Sequence, residues 1–261
     1  MKKSVRPLLP NQERAFALLF WLAVWQIAAL VIGQKILLVT PLEALRCFLV
    51  MLPQPAFWAR VIFSTLRILA GFGLAVLGAF LLAALARSHR MLAALVELPL
   101  QAIKATPVAS FIILALLWVS SRQLSVLISF FMALPILYSA VQTGLDAADP
   151  ALLEMAQVFR MGLCARIRAI WLPGLLPAFR RGCSVALGIC WKSGIAAEVI
   201  GLPGGSMGEA LYRAKITLST AEVFAWSIAI VLLSAVLERL FMALLAAAEQ
   251  HIVGKKEGSQ C

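Results

Sequence analysis

Residues 123–145, QLSVLISFFMALPILYSAVQTGL, run for 23 positions without a charge, and residues 146–173, DAADPALLEMAQVFRMGLCARIRAIWLP, follow at once with six. A bilayer-spanning helix needs about 20 mostly apolar residues, so the first stretch reads as a membrane span. The second is a charged, structured loop that needs a partner in water. Across residues 144–181 the loop region carries eight of the chain's 35 charged residues.

The remainder of the chain repeats the first pattern. Of 261 residues 62% are hydrophobic and 13% charged, with a mean hydropathy of +0.96, too little polar surface to coat a soluble body of that size. Charge-free windows also occur at 15–34, 68–86 and 105–121. Two weaker ones follow, 182–200 with Lys192 and Glu198, and 223–243 with Glu238 and Arg239 near its end. The expected fold is all-α and polytopic, with six transmembrane helices. Lys2, Lys3 and Arg6 precede an apolar run too long for a signal peptide, and no Ala-x-Ala site follows before Lys35, so that run is taken as a retained first span.

Basic residues are held on the cytoplasmic side. With the amino terminus inside, the inner segments hold thirteen Lys and Arg and the outer segments six. The expected organisation is therefore a cytoplasmic segment 1–14, a membrane domain 15–247 with a cytoplasmic loop 146–178, and a cytoplasmic tail 248–261. Topology and anionic lipid headgroups explain the net charge of +11 without nucleic acid. Cys47, Cys164, Cys183, Cys190 and Cys261 show no C-x-x-C pairing and read as packing residues. His89 and His251 lie in separate segments without metal-ligand spacing, so no metal site is expected.

Local signals refine this outline. Thr40-Pro41-Leu42-Glu43 has capping-box spacing and predicts a short outer helix to about Leu52, closed by Pro53 and Pro55 before a span that begins near Trp58. Glu97, Pro99, Lys104 and Pro107 interrupt the third span. Thr106 and Pro107 either line a cavity, where broken backbone is tolerated at membrane depth, or mark a kink at the membrane edge. In the loop, Asp149 caps a helix opened by Pro150, and Leu152, Met155, Ala156, Phe159 and Leu163 form one apolar stripe. Arg166 and Arg168 begin a second short helix that Pro173 and Pro177 stop, giving a helical hairpin. Its stripe packs on the membrane bundle or on another protein. The glycine-rich stretch 201–208, GLPGGSMG, is no phosphate cradle, and G-x-x-x-x-G-K-[ST] occurs nowhere in the chain. Ser219 with Glu222 predicts the start of the last span.

Glu154-Met155-Ala156, sixteen residues, then Pro173, with Ile170-x-Leu172-Pro173, resembles the EAA motif of the permease subunits of bacterial ABC importers. Ser64-x-x-Arg67-x-x-x-Gly71-Phe72, Trp191 through Glu198, and Gly201 resemble the branch that imports nitrate, sulfonates, taurine, bicarbonate and pyrimidine precursors. The similarity covers about residues 60–245. It implies an importer of two permease subunits, a homodimer as is usual in that branch or else a heterodimer, two copies of an ABC ATPase carrying ATP and Mg, and an extracytoplasmic binding protein, in the bacterial inner membrane. No cofactor is expected on this chain, and it is not itself an enzyme. The substrate implied is a small organic or inorganic anion or a pyrimidine-type nutrient. Glu154, Met155, Ala156, Phe159, Arg160, Gly162, Ile170, Leu172 and Pro173 would form the ATPase-coupling site. In this resemblance Ala156 is small because the ATPase approaches closely; the plainer reading is an ordinary small helix residue. The family usually places glycine six residues after the motif glutamate, where this chain has Arg160, with Gly162 two positions on, and Met155 stands for the usual alanine.

Lys192 is costly near the middle of a span. It faces a cavity and favours an anionic or carbonyl-bearing substrate, pairs with Glu97 or Glu198, or snorkels to an interface; Glu198 lies about 240° around the same helix and is badly placed for pairing. Thr106, Pro107, Lys192 and Glu198 are the candidate pathway residues. A secondary carrier is the alternative, but the chain lacks an evident repeat and has few buried acids for proton coupling. A membrane enzyme would need a cluster of His, Asp or Ser at one depth, and none is visible.

Overall fold

The computed structural model describes residues 11–254, and within them the regular structure is helical. The helices are α1 (Asn11–Ile32), α2 (Pro41–Met51), α3 (Pro55–Ser88), α4 (Arg90–Ala105), α5 (Val108–Ala115), α6 (Ser121–Asp146), α7 (Pro150–Val158), α8 (Leu163–Arg166), a π-helical turn Ile167–Trp171, α9 (Leu172–Gly201), α10 (Met207–Ile216) and α11 (Thr220–Gly254). Lys2, Lys3, Arg6, Lys255, Lys256 and Cys261 lie outside the described residues, as do the side chains of Arg14, Cys164 and His251 and most of the segments 1–14 and 248–261.

Among the described residues five helices are long and apolar enough to cross a membrane, and the protein is polytopic. A sixth span exists only if α4 and α5 are taken together, and they meet at 107°. The expected break is thus present but sharper than a kink. Thr106 is extended (φ −80°, ψ 129°), as the residue before a proline must be, and its N–H and hydroxyl both return to the carbonyl of Ala102. The second span is longer than its charge-free window, because α3 starts at Pro55 and carries Arg60 and Arg67.

The chain divides into two compact units. One comprises the chain through Trp58 together with Ala210–Ala229. In it Thr40 caps α2 through the Glu43 N–H at 3.2 Å, with Pro41 in the first turn, as the sequence predicts. The Lys35 ammonium, 2.6 Å from Glu43, holds that carboxyl below the usual carboxylate range. Trp25 donates to the Val39 carbonyl and packs on Phe224, Phe57 stacks on Trp226, and Trp58 donates to the Leu52 carbonyl to close the turn after α2. Most of α1 stays exposed, as a helix facing lipid does.

The second unit, Ala59–Glu209 with the chain from Ile230, is built around α6 and α9. Small residues let these two approach closely: a Cβ on Gly182 would lie 2.4 Å from Ala140 Cβ, and one on Gly144 2.7 Å from Leu175 Cα. At mid-length Ser129 Oγ donates to the Cys190 carbonyl while Cys190 Sγ donates to the Ser129 carbonyl. Cys183 and Cys190 are buried and unpaired, in keeping with packing roles. Trp191 donates to the Ile230 carbonyl and Ser184 to Glu238, tying α11 to α9.

One expected element does not form. Pro173 and Pro177 fail to stop the second loop helix, and helical structure continues without a break from Leu163 to Gly201. A proline ring clashes with the carbonyl four residues back and removes a donor. Pro173 sits in the first turn of α9, directly after the π turn, whose wider winding (Leu172 N–H to the Ile167 carbonyl) makes room where that clash would fall. The loop is therefore one short helix, α7, set against the near end of a long one.

Candidate coupling surface and membrane-helix network

α7 begins as its sequence dictates, with Asp149 Oδ1 accepting from the Ala151 N–H at 2.9 Å and Pro150 in the first turn. Its end is less expected. The Met161 N–H bonds to the Ala156 carbonyl at 2.9 Å and the Arg160 N–H to the Gln157 carbonyl at 3.0 Å, the paired bonds of a left-handed helix cap. The residue at the left-handed position is Arg160, with φ +49°. Gly162 has no positive φ and open space around it, so it does not take over a glycine's role.

The faces of α7 also differ from the expected stripe. Ala156 is fully buried and Leu153 half-buried, whereas Met155, Val158, Phe159 and Leu163 are 47%, 78%, 72% and 70% exposed. Only Ala156 of the predicted stripe faces inward. Its small side chain is already required by the chain's own packing, and the Arg166 guanidinium reaches its carbonyl at 3.4 Å. Glu154 and Gln157 are exposed. Ile170 is buried in the π turn, Leu172 half-buried, and Pro173 exposed. The result is an apolar surface in a segment too polar to lie in lipid, with Arg160 and Arg168 exposed in the same loop.

At the far end of α9 the pattern inverts. Glu198 is fully buried, and its Oε2 accepts from Ser64 Oγ at 2.7 Å and from the Gly208 N–H at 3.2 Å. Ser64, also fully buried, accepts in turn from the Met207 N–H at 2.9 Å. A Cβ on Gly208 would lie 2.4 Å from Glu198 Cβ, so only glycine allows this approach. Leu202, in the left-handed region at φ +50°, turns the chain out of α9. Of these residues the sequence singles out Glu198 alone as a site residue; Ser64, Met207 and Gly208 stand in quoted stretches without a role in a site.

Lys192 is exposed on α9 and, among the described residues, takes part in no ion pair, so the pairings with Glu97 and Glu198 do not form. It shares a helix face with Arg181, Val185 and Gly188, at i, i+4, i+7 and i+11. Arg180, Arg181, Ser184 and Val185 border an open groove of about 590 Å³. Thr106 is half-buried and Pro107 exposed, at the sharp bend between α4 and α5. No hydrogen bond or ion pair among the described residues joins these two to Lys192 or Glu198.

A family model described as "binding-protein-dependent transport system inner membrane component" matches residues 71–254. The chain belongs to that family. The match spans most of the chain, from α3 to the end of α11, and includes the α7 loop and the whole of α9. The chain is also similar to a putative aliphatic sulfonates transport permease protein, SsuC, of Bacillus subtilis (strain 168), 26% identical over 207 residues, covering 78% of this chain and 74% of the relative. Among solved structures it resembles an amino acid ABC transporter crystallised with histidines, with a TM-score of 0.60 over 78% of this chain and 98% of that one, at 20% identity, a likeness of fold. Family and apolar helices together make this a membrane-embedded permease component of an ABC transporter, and such components work in complexes with other subunits.

Proposed function

We propose that this chain forms the translocation pathway of an ATP-driven importer and that α7 docks it to a separate ATPase chain, which binds and hydrolyses Mg-ATP. The carrying observation is the exposed apolar surface of α7, with Met155, Val158, Phe159 and Leu163 in the open on a water-side loop. A patch of this kind marks an interaction site. Glu154, Arg160 and Gly162 rim that surface, and Ala156, Ile170, Leu172 and Pro173 set it against α9. The full assembly would hold two permease copies, two ATPases and an extracytoplasmic binding protein, in the bacterial inner membrane with both termini cytoplasmic.

The substrate is a small anion, with an organosulfonate first in line. Two observations support this reading: a relative named for aliphatic sulfonates, and an α9 face where Lys192 and Arg181 stand exposed beside open space at Gly188. A lysine at mid-span does not face hydrocarbon, so this face would line the pathway, with a second copy of the chain completing it. Thr106 and Pro107 would contribute from the bend.

The test is to purify the tagged chain in mild detergent and identify its stoichiometric partners by mass spectrometry. Recovery of an ATPase near one to one, lost on Phe159→Asp, supports the assignment. Recovery of the folded chain alone, under conditions in which a control importer stays assembled, refutes it.

A further inference from the structure

The helix beginning at Leu163 does not break until Gly201, a run of ~58 Å at 1.5 Å per residue. Its near end follows α7 through the Arg160 cap, and Arg166 on its first turn bonds back to Ala156. Its far end carries Glu198. The first turn of α10 already has a local cap, since the Glu209 N–H bonds to Ser206 Oγ at 3.0 Å. Its remaining free amides are nevertheless taken by two side chains from elsewhere, Met207 by Ser64 of α3 and Gly208 by Glu198 of α9. Placing a carboxyl group out of reach of water for this purpose is expensive unless its hydrogen bonds are met, and here one oxygen carries both contacts while Oε1 accepts none among the described residues. The absence of any side chain on Gly208 puts the loop backbone directly against Glu198, so the far end of α9 and this turn touch with no slack.

We infer that Glu198 and Ser64 form a latch through which α9 grips the glycine loop and the first turn of α10, so that displacement of the α7 end of the helix is delivered to that loop. Glu198 is a positioning residue in this scheme rather than a wall of the pathway, and Ser64 relays its hold to Met207. The inference rests on α7 being the ATPase dock, since that is where the displacement originates. A buried, close-packed contact transmits motion by switching between discrete arrangements, and a grip on a single carboxylate oxygen is one that rotation of the carboxyl group breaks and remakes.

The amides of Met207 and Gly208 report the latch directly by hydrogen exchange. In the complete complex in lipid nanodiscs, their exchange rates should differ by about tenfold or more between the nucleotide-free state and the state trapped with Mg-ATP and vanadate. Ser64→Ala should expose the Met207 amide in both states, abolish the nucleotide response and lower uptake at least about tenfold, while the ATPase still co-purifies in its normal ratio. Glu198→Gln, which keeps the size and one acceptor, should retain co-purification and lose the nucleotide response at Gly208. Identical exchange at both amides in the two states of a complex that hydrolyses ATP overturns the latch, as does full-rate uptake by both variants. Loss of the ATPase from the wild-type complex overturns the docking assignment instead, and the latch with it.

Discussion

The two ends of the long helix break the ordinary partition of side chains in opposite directions. At the α7 end apolar residues stand in the open: Val158 and Phe159 are more than two-thirds exposed although the loop lies outside the spans. At the α10 end polar residues are sealed: Ser64, Glu198 and Ser206 are fully buried. At the second end the chain itself supplies hydrogen bonds to Ser64 and to one oxygen of Glu198, through Ser64, Met207 and Gly208. The first is covered by nothing among the described residues, and exposed apolar area contributes no folding free energy. The difference separates residues that serve the fold from residues that wait for another protein, and substitutions at each end should have distinct signatures.

Gly208→Val should have the largest effect on stability. Its side chain would meet Glu198 Cβ at 2.4 Å and the Val199 backbone N at 2.6 Å, neither of which is a flexible chain end. We expect a loss of about 3 kcal/mol, seen as a large drop in the unfolding temperature in detergent followed by tryptophan fluorescence. A normal unfolding temperature would mean that the loop has another place to go.

At the α7 end two aspartates should divide cleanly. Ala156→Asp puts a charge at a fully buried position and should lower both stability and ATPase recovery, so its failure to assemble would not identify an interface. Phe159→Asp, at an exposed position, should leave the unfolding temperature within about 1 °C of wild type and reduce ATPase affinity by roughly 30-fold or more, the scale of an interface hot spot. If Phe159→Asp instead destabilised the isolated chain, the apolar surface would belong to the fold. A smaller effect is expected at Lys192→Met: stability unchanged, and an uptake affinity for a small sulfonate weakened about tenfold, equivalent to ~1.4 kcal/mol. Unaltered uptake would remove Lys192 from the pathway.

The contrast also shows which parts of the molecule were legible in the sequence. The spans, the caps of α2 and α7 and the break at Pro107 were readable because each depends on a short window: an apolar run, a Thr or Asp before Pro, a proline within a helix. What escaped depends on partners far away in sequence. Ser64 and Met207 are 143 residues apart, and no periodicity announces that they meet. The stripe of α7 stays open in the sequence between the membrane bundle and another protein, because five apolar residues fit a core face as well as a docking face, and only burial tells them apart. Pro173 reads as a stop because a π turn, which makes room for it, leaves no sequence signature, and Pro177 sits inside α9 beyond that turn.

Arg160 should give the smallest effect and the most particular one, since it concerns backbone rather than contacts. The left-handed conformation costs an L residue roughly 1–2 kcal/mol, and glycine adopts it freely. Among the described residues Leu202 and Leu218 hold the same conformation, so the chain tolerates the strain at several helix ends. Arg160→Gly should relieve the strain but add freedom to the unfolded chain, leaving a net gain of about 0.5 kcal/mol, a rise of a degree or two in unfolding temperature. Both cap bonds, Met161 to Ala156 and Arg160 to Gln157, are made by backbone and should survive. A more stable chain with unchanged ATPase affinity would show that the guanidinium touches nothing on the partner. If stability rises while affinity falls severalfold, with Arg160→Lys restoring part of the affinity, the strain is kept for a charge that the partner reads, and the docking surface extends past the apolar face of α7.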